Sequence, residues 1–195
     1  DFNKVFGVDE KGNFDSEDGR RVTILNRKVL APPISEEKVN TWKKQLLDVR
    51  YKRIHPLTDV KILSSWNGMM ISAMSQAYRM TGEKKYLESA LKSAEFIFSK
   101  MYKADGTLLR TSRLGKVSEI TGFLDDYADM AEACTELYES TYEKKWLERA
   151  IALTAKMDEL FSAEEKGGYY FTPSNGESLI ARSRSFEDSA VPNPN

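Results

Sequence analysis

The sequence predicts an all-α fold assembled from helical hairpins that recur about every sixty residues. Two observations carry this. From Trp66 onward, apolar residues fall at helical spacing in successive segments separated by turn residues. The later pair of segments also repeats the earlier pair by residue identity. Glu83-Lys84-Lys85-Tyr86-Leu87-Glu88 returns as Glu143-Lys144-Lys145-Trp146-Leu147-Glu148, Tyr78 returns as Tyr138, and Ala90 returns as Ala150, always sixty residues on. A period of this size marks stacked supersecondary units, each unable to bury its apolar face alone.

Residues 1–34 carry little helical period and read as an irregular or extended lead-in, with one short strand at Val22-Thr23-Ile24-Leu25. The helical repeat region is expected over 35–195. Ser35 caps its first helix, with Glu36 and Glu37 in the first turn where the helix dipole favours anions, and the helix is expected to reach about Arg50. Met69, Met70, Ala73, Ala77 and Met80 mark the next helix, which Thr81-Gly82 stops. Its partner runs from about Glu83 to Lys100, and Thr107-Leu108-Leu109 follows as an extended piece. Leu124, Tyr127, Ala128, Ala131, Thr135 and Tyr138 mark the first helix of the second unit, and Trp146 to Phe161 its partner. Tyr169-Tyr170-Phe171 and Leu179-Ile180-Ala181 are expected to pair as a small β-hairpin.

The first helix of each unit is rich in small residues, namely Ser72, Ala73, Ser75 and Ala77, then Ala128, Ala131 and Ala133. Small residues let a helix pack closely on more than one side. The second helices carry more Lys and Glu and so have a solvent face. This predicts two layers, inner helices first and outer helices second, with Lys92 and Glu148 exposed.

Composition excludes several classes. Lys plus Arg number 29 against 30 Asp plus Glu, so the net charge is −1 and there is no electrostatic footprint for nucleic acid. No apolar run is long enough for a bilayer, and no membrane partner is expected. The single cysteine, Cys134, has no partner for an internal disulfide or a redox pair and reads as a buried small residue, which fits a reducing, cytoplasmic setting. The single histidine, His55, excludes any mechanism that needs two within this chain. Nothing in the pattern calls for a metal or a cofactor. The first residue is not methionine and the chain ends on Val191-Pro192-Asn193-Pro194-Asn195, as a piece of something longer would.

If the inner helices start at one end, their N-termini and preceding loops line one mouth. The sixty-residue step then selects Trp66 with Asn67, next Asp125 with Asp126 and Tyr127, and finally Asp188. An aromatic platform with carboxylates suits a sugar, since the ring stacks on its apolar face and carboxylates bind hydroxyls or move protons. Asp125, Asp126 and Asp188 are the candidate catalytic residues, and Trp66, Asn67 and Tyr127 the candidate substrate contacts. Arg182 and Arg184 alternate on a strand-like stretch where they could hold a carboxylate or phosphate, as could Arg110 and Arg113 after the first unit. The same residue types also serve as caps, core aromatics and solvated strand faces.

The run Asp59-Val60-Lys61-Ile62-Leu63-Ser64-Ser65-Trp66-Asn67-Gly68-Met69-Met70-Ile71 resembles a signature of the thioredoxin-domain-containing, spermatogenesis-associated-type proteins. Phe6-Gly7-Val8 with Gly12-Asn13-Phe14, Leu124-Asp125-Asp126-Tyr127-Ala128, and Asp188-Ser189-Ala190-Val191-Pro192 are similar to that family in the same order. The resemblance implies a partial (α/α) six-hairpin toroid with short β-hairpin insertions, akin to N-acylglucosamine 2-epimerases and six-hairpin glycosidases. A thioredoxin-like domain of the same full-length chain would be its partner. Six repeats need roughly 360 residues, so this chain would supply about half a ring. Two positions depart from the pattern. Val60 stands where the family has a second Asp, and Pro192-Asn193-Pro194-Asn195 replaces its Pro-Ser-x-Asn-Ser. The expected function is binding or processing of a sugar or another small molecule, and the alternative is a non-catalytic scaffold for the thioredoxin-like domain. Thiol chemistry by Cys134 itself is the least supported reading.

Overall fold

The computed structural model describes residues 1–27, 33–163 and 167–195. The chain divides into two compact units, Asp1–Thr58 and Asp59–Asn195.

In the first unit, α1 (Phe2–Phe6) is a single helical turn closed by Gly7 at φ 65°. One turn is too short to show a period, so the lead-in reads as irregular in sequence although it contains a helix. Strands β1 (Phe14–Asp15) and β2 (Arg21–Val22) pair antiparallel, and the expected strand at 22–25 contributes only Val22 to them. Helix α2 (Glu36–Tyr51) starts where its cap predicts, with the Ser35 hydroxyl accepting from the Lys38 amide at 3.4 Å. Val5, Phe6 and Val39 form a small core with Phe2 and Trp42 against it. The Phe2 and Trp42 rings meet edge to face at 5.6 Å, a geometry that favours aromatic pairs. His55 is exposed, its Nε2 3.3 Å from the Tyr51 carbonyl oxygen.

The second unit holds the repeat. Helix α3 (Ser64–Thr81) is followed by α4 (Lys84–Lys100), and α5 (Leu124–Thr141) by α6 (Lys144–Phe161). Each hairpin packs on itself, and α3 packs along α5. Lys92 and Glu148 are exposed, as the two-layer arrangement requires. Leu124, Tyr127, Met130, Ala133, Cys134 and Leu137 of α5 are fully buried against Trp146, Leu153 and Phe161 of α6. The inner helices approach closely because α3 offers Gly68, Ser72 and Ser75 to α5, all buried. On another side of α3, Trp66, Met70, Ala73 and Met80 are exposed. Met70 and Met80, which mark the helical spacing in the sequence, therefore lie on an open apolar stripe.

A three-stranded antiparallel sheet joins the helix starts. It consists of β3 (Lys61–Leu63), β4 (Thr111–Arg113) and β5 (Lys116–Val117), with β4 central. Leu108 and Leu109, the expected extended piece, contribute isolated bridges to Tyr102 and Thr121. The hairpin expected between Tyr169–Phe171 and Leu179–Ala181 does not form. Tyr169 instead bridges Ser162, and the Phe171 amide donates to the Ser183 carbonyl at 2.9 Å.

The repeat exposes one unfavourable residue. Gly82 and Tyr142 end the two inner helices at equivalent places, with φ 73° and 57°. The left-handed region suits glycine and penalises a side chain. Tyr142 is 80% exposed and has little burial to offset that penalty. Tyr142→Gly is expected to raise the unfolding free energy by about 0.5–1 kcal/mol in urea titrations. An unchanged or lower stability would mean that the edge contact with Tyr138 outweighs the strain.

Candidate functional site

The starts of α3 and α5 are held together by one carboxylate. Asp126 is fully buried, and its Oδ1 accepts from the Ser65 amide at 3.0 Å. Its Oδ2 accepts from the Phe123 amide at 2.9 Å, capping α5, and from Arg110 Nη1 at 2.6 Å. Arg110 also donates to Asp125 at 2.9 and 3.3 Å, and its guanidinium lies over the Phe123 ring at 4.5 Å. Main-chain bonds complete the joint. The Ser64 amide donates to the Arg110 carbonyl at 3.0 Å, and the Ser64 hydroxyl to the Leu109 carbonyl at 2.7 Å. Burial, followed by the neighbouring Asp125 charge, pushes the Asp126 carboxyl up to about 6 in spite of Arg110.

The repeat thus predicts correctly that the starts of α3 and α5 meet, but the residues divide by role. Asp125 and Trp66 remain accessible. Asp125 is part-exposed beside Arg110, and Trp66 is 61% exposed at the head of the open stripe on α3. The other candidates are engaged in contacts within the fold. Asp126 has three donors on its two oxygens and no exposed atom, which makes it a structural hub. Tyr127 is fully buried, its hydroxyl accepting from the Leu108 amide at 2.8 Å, because its position in the helix turns it toward α6. Asn67 uses both ends of its amide. It donates to the Leu63 carbonyl at 2.8 Å and accepts from the Ser93 hydroxyl at 2.9 Å, tying α3 to α4. Arg182 donates to the carbonyls of Thr172 and Leu160 and stacks on Tyr170 at 4.3 Å. Arg184 donates to the Gly167 carbonyl at 2.7 Å. Both arginines pin the irregular C-terminal stretch. Asp188 is exposed and closes a local turn, accepting from the Asn193 amide at 2.8 Å.

One residue absent from the sequence reading stands out. Asp129 lies one turn beyond Asp125, against the backbone of α3 at Gly68. Burial, then the charges of Asp125, Glu132 and Asp126, push its carboxyl up to about 7. A carboxyl raised in the folded state adds stability below its ordinary value of 3.8 and loses that contribution as pH rises through 7. Asp129→Asn is therefore expected to be the more stable form at pH 8 by about 1–2 kcal/mol, after allowing for solvent screening of a part-exposed group. At pH 3, below both values, the gain is expected to shrink to near zero. Urea titrations at the two pH values check this, and a gain independent of pH would refute it.

Cys134 is buried in the core, and desolvation pushes its thiol up to about 12. It is expected to resist a thiol-reactive disulfide reagent in the native protein and to react fully in urea. Reaction at comparable rates in both states would contradict this environment. Among the described residues, no group of three or more His, Cys, Asp or Glu is arranged to hold a metal ion, and no helix is long and apolar enough to cross a membrane.

No family model matches the chain. Spermatogenesis-associated protein 20 of Homo sapiens is 28% identical over 98% of the chain, and that of Rattus norvegicus is 32% identical over 80%. The chain spans 28% and 21% of the length of these two relatives. Among solved structures, cellobiose 2-epimerase from Bacillus thermoamylovorans superimposes with a TM-score of 0.54 at 19% identity, over 70% of this chain and 40% of that one. A GH76 α-mannanase from Bacteroides thetaiotaomicron gives 0.50 at 16% identity, over 57% and 32%. These likenesses show the fold alone, an (α/α) toroid shared with carbohydrate-processing proteins. The chain is similar to spermatogenesis-associated protein 20 along most of its own length, and it folds as part of such a toroid.

Proposed function

We propose that the N-terminal ends of α3 and α5 form part of a carbohydrate-binding, proton-transferring site. The observation that carries this reading is the pairing of Asp125 with Asp129. They stand one helical turn apart, a spacing that brings side chains to about 5–6 Å at Cβ. Their surroundings differ. Asp125 is ion-paired to Arg110, whereas Asp129 is desolvated beside Gly68 and titrates near neutrality. Neighbouring carboxyls in contrasting environments suit the division into a charged partner and a proton donor or acceptor. Trp66 offers an exposed apolar platform of the kind that stacks on sugar rings. Toroids of similar fold include an enzyme named as a cellobiose 2-epimerase and one named as an α-mannanase.

The test is a binding screen of the full-length protein against neutral hexoses and disaccharides. Trp66→Ala and Asp125→Asn are expected to weaken the best ligand about tenfold or more, as loss of a stacking or charge-assisted contact does. Acrylamide is expected to quench Trp66 fluorescence in the free protein, and bound sugar to protect it. If no sugar binds, or if Trp66 is shielded in the full-length protein by whatever covers the stripe through Met70 and Met80, the reading falls. Weight then passes to a scaffold role beside a thioredoxin-like domain.

A further inference from the structure

The outer face of the β3–β4–β5 sheet carries a charge pattern that the carbohydrate reading does not use. In register, Lys61 opposes Arg113, and Arg113 opposes Lys116, so three cations stand in one line across three strands. Directly opposed residues share a face of a sheet. The next line, Ile62, Ser112 and Val117, points the other way. Ser112 is buried there, while Ile62 and Val117 pack on the core. The cations are accordingly all exposed.

Like charges directly opposite one another destabilise a sheet. One carboxylate offsets them in part. Asp59 lies 3.0 Å from the Lys61 ammonium, and contact with Lys61, together with the more distant Arg113 charge, holds its carboxyl below the usual value. Among the described residues, Arg113 and Lys116 form no ion pair. Two cations in three thus lack a counter-charge in a chain whose net charge is only −1.

The turn of the same hairpin is unusual. Leu114 and Gly115 both have positive φ, 49° and 77°, as a two-residue primed turn requires. Asn, Asp or Gly normally fills the first of these places. Here a leucine takes it and is 77% exposed. Leu114 lines an open surface hollow together with Thr111, Arg113, Lys116, Val117 and Ser118. The hollow also belongs to the sheet that feeds the candidate site, since Leu63 of β3 runs directly into α3 and Arg110 directly precedes β4.

We propose that Arg113 and Lys116, with Lys61 beside them, bind the anionic group of a small-molecule ligand, a sugar phosphate or sugar acid whose apolar face rests on Leu114. The sugar part of this ligand rests on the function proposed above, and the anionic part does not. Guanidinium and ammonium groups in a line match the several oxygens of phosphate or carboxylate. Such a ligand also removes the repulsion between the strands.

The test uses the full-length protein with four probes at constant ionic strength: inorganic phosphate, a hexose 6-phosphate, a hexuronic acid and the neutral hexose. Calorimetry is expected to show tighter binding of at least one anionic sugar than of the neutral hexose. The R113Q/K116Q double variant is expected to lose about tenfold or more of that affinity, and most of its salt dependence. Both residues are exposed, so the variant is expected to unfold no earlier than the parent, which a thermal scan verifies. Leu114→Asn suits the turn better, and is expected to gain stability while binding the anionic sugar more weakly. Comparison of the phosphate and the uronate identifies which group the row prefers. The anion site is overturned if no probe anion binds more tightly than chloride, or if the double variant binds the anionic sugars like the parent. Should neutral hexose binding persist and depend on Trp66 while anions add nothing, this site fails and the carbohydrate reading stands. Should inorganic phosphate bind as well as the hexose phosphate and be lost in the double variant, while the neutral hexose does not bind, the anion site stands and the carbohydrate reading fails.

Discussion

Asp126→Ala is expected to destabilise the second unit by about 3–5 kcal/mol, the range for removing one partner of a buried charged network. The cause is the orphaning of donors rather than the loss of an attraction. Truncation leaves the Ser65 amide, the Phe123 amide and one arm of Arg110 without their acceptor. A buried unsatisfied donor costs about 1–3 kcal/mol. The direction of the Asp126 shift agrees with this account. A carboxyl raised to about 6 gives most stability below 3.8 and loses it as pH climbs through 6, so ionisation itself is not the gain. Asp126→Asn separates the two effects. The amide oxygen can still accept from Ser65, but the amide nitrogen then faces the Phe123 amide and Arg110, donor against donor. This variant is expected to recover only part of the loss. Asp125→Ala, which removes one part-exposed contact to Arg110, is expected to cost about 1 kcal/mol or less. In urea denaturation Asp126→Ala is expected to be the least stable of the three variants, Asp126→Asn intermediate and Asp125→Ala the most stable. Equal effects at 125 and 126 would refute the hub.

The hub was half legible in the sequence. Periodicity placed both inner helices, and the sixty-residue step brought Ser65 and Asp126 to one joint, because a repeat forces equivalent helix starts together. The step could not say which carboxylate faces inward. That depends on the angle at which α5 meets α3 and α6, which buries Asp126 and Tyr127 and leaves Asp125 at the rim. Asp188 lies in a different setting. The third step assumes another helix start, and the chain there makes a local turn held by Asp188 and Asn193. Asp129 gave no signal, since its environment is made by the approach of Gly68 from about sixty residues away in the chain. The β4–β5 hairpin was hidden because Thr111-Ser112-Arg113 does not alternate apolar with polar, and its turn holds Leu114 where sequence reading looks for asparagine.

Gly68→Ala is expected to cost about 2–4 kcal/mol, against the usual gain from the same exchange in a helix. In an open helix interior alanine is favoured over glycine by about 1 kcal/mol. At Gly68 an added Cβ would lie 2.6 Å from the Asp129 carbonyl carbon, 2.7 Å from its oxygen and 2.9 Å from its Cβ. These atoms are main chain or fixed to it, so no rotamer change at 129 gives way, and α3 must move off α5. Overpacking of this kind costs about 1–3 kcal/mol and more where a hydrogen-bonded joint is pulled apart. The joint at risk is the Ser65–Asp126 bond, one turn from the clash. Two readouts distinguish this cause from a general loss of stability. Asp129→Asn in the Gly68→Ala background is expected not to rescue it, because the clash is with backbone. Separation of the helices also admits water to Asp129, so its pH-dependent contribution is expected to move toward the ordinary carboxylate range. A Gly68→Ala protein as stable as the parent, or more so, would show that α3 and α5 are not packed backbone to backbone, and the desolvation that raises Asp129 would lose its source.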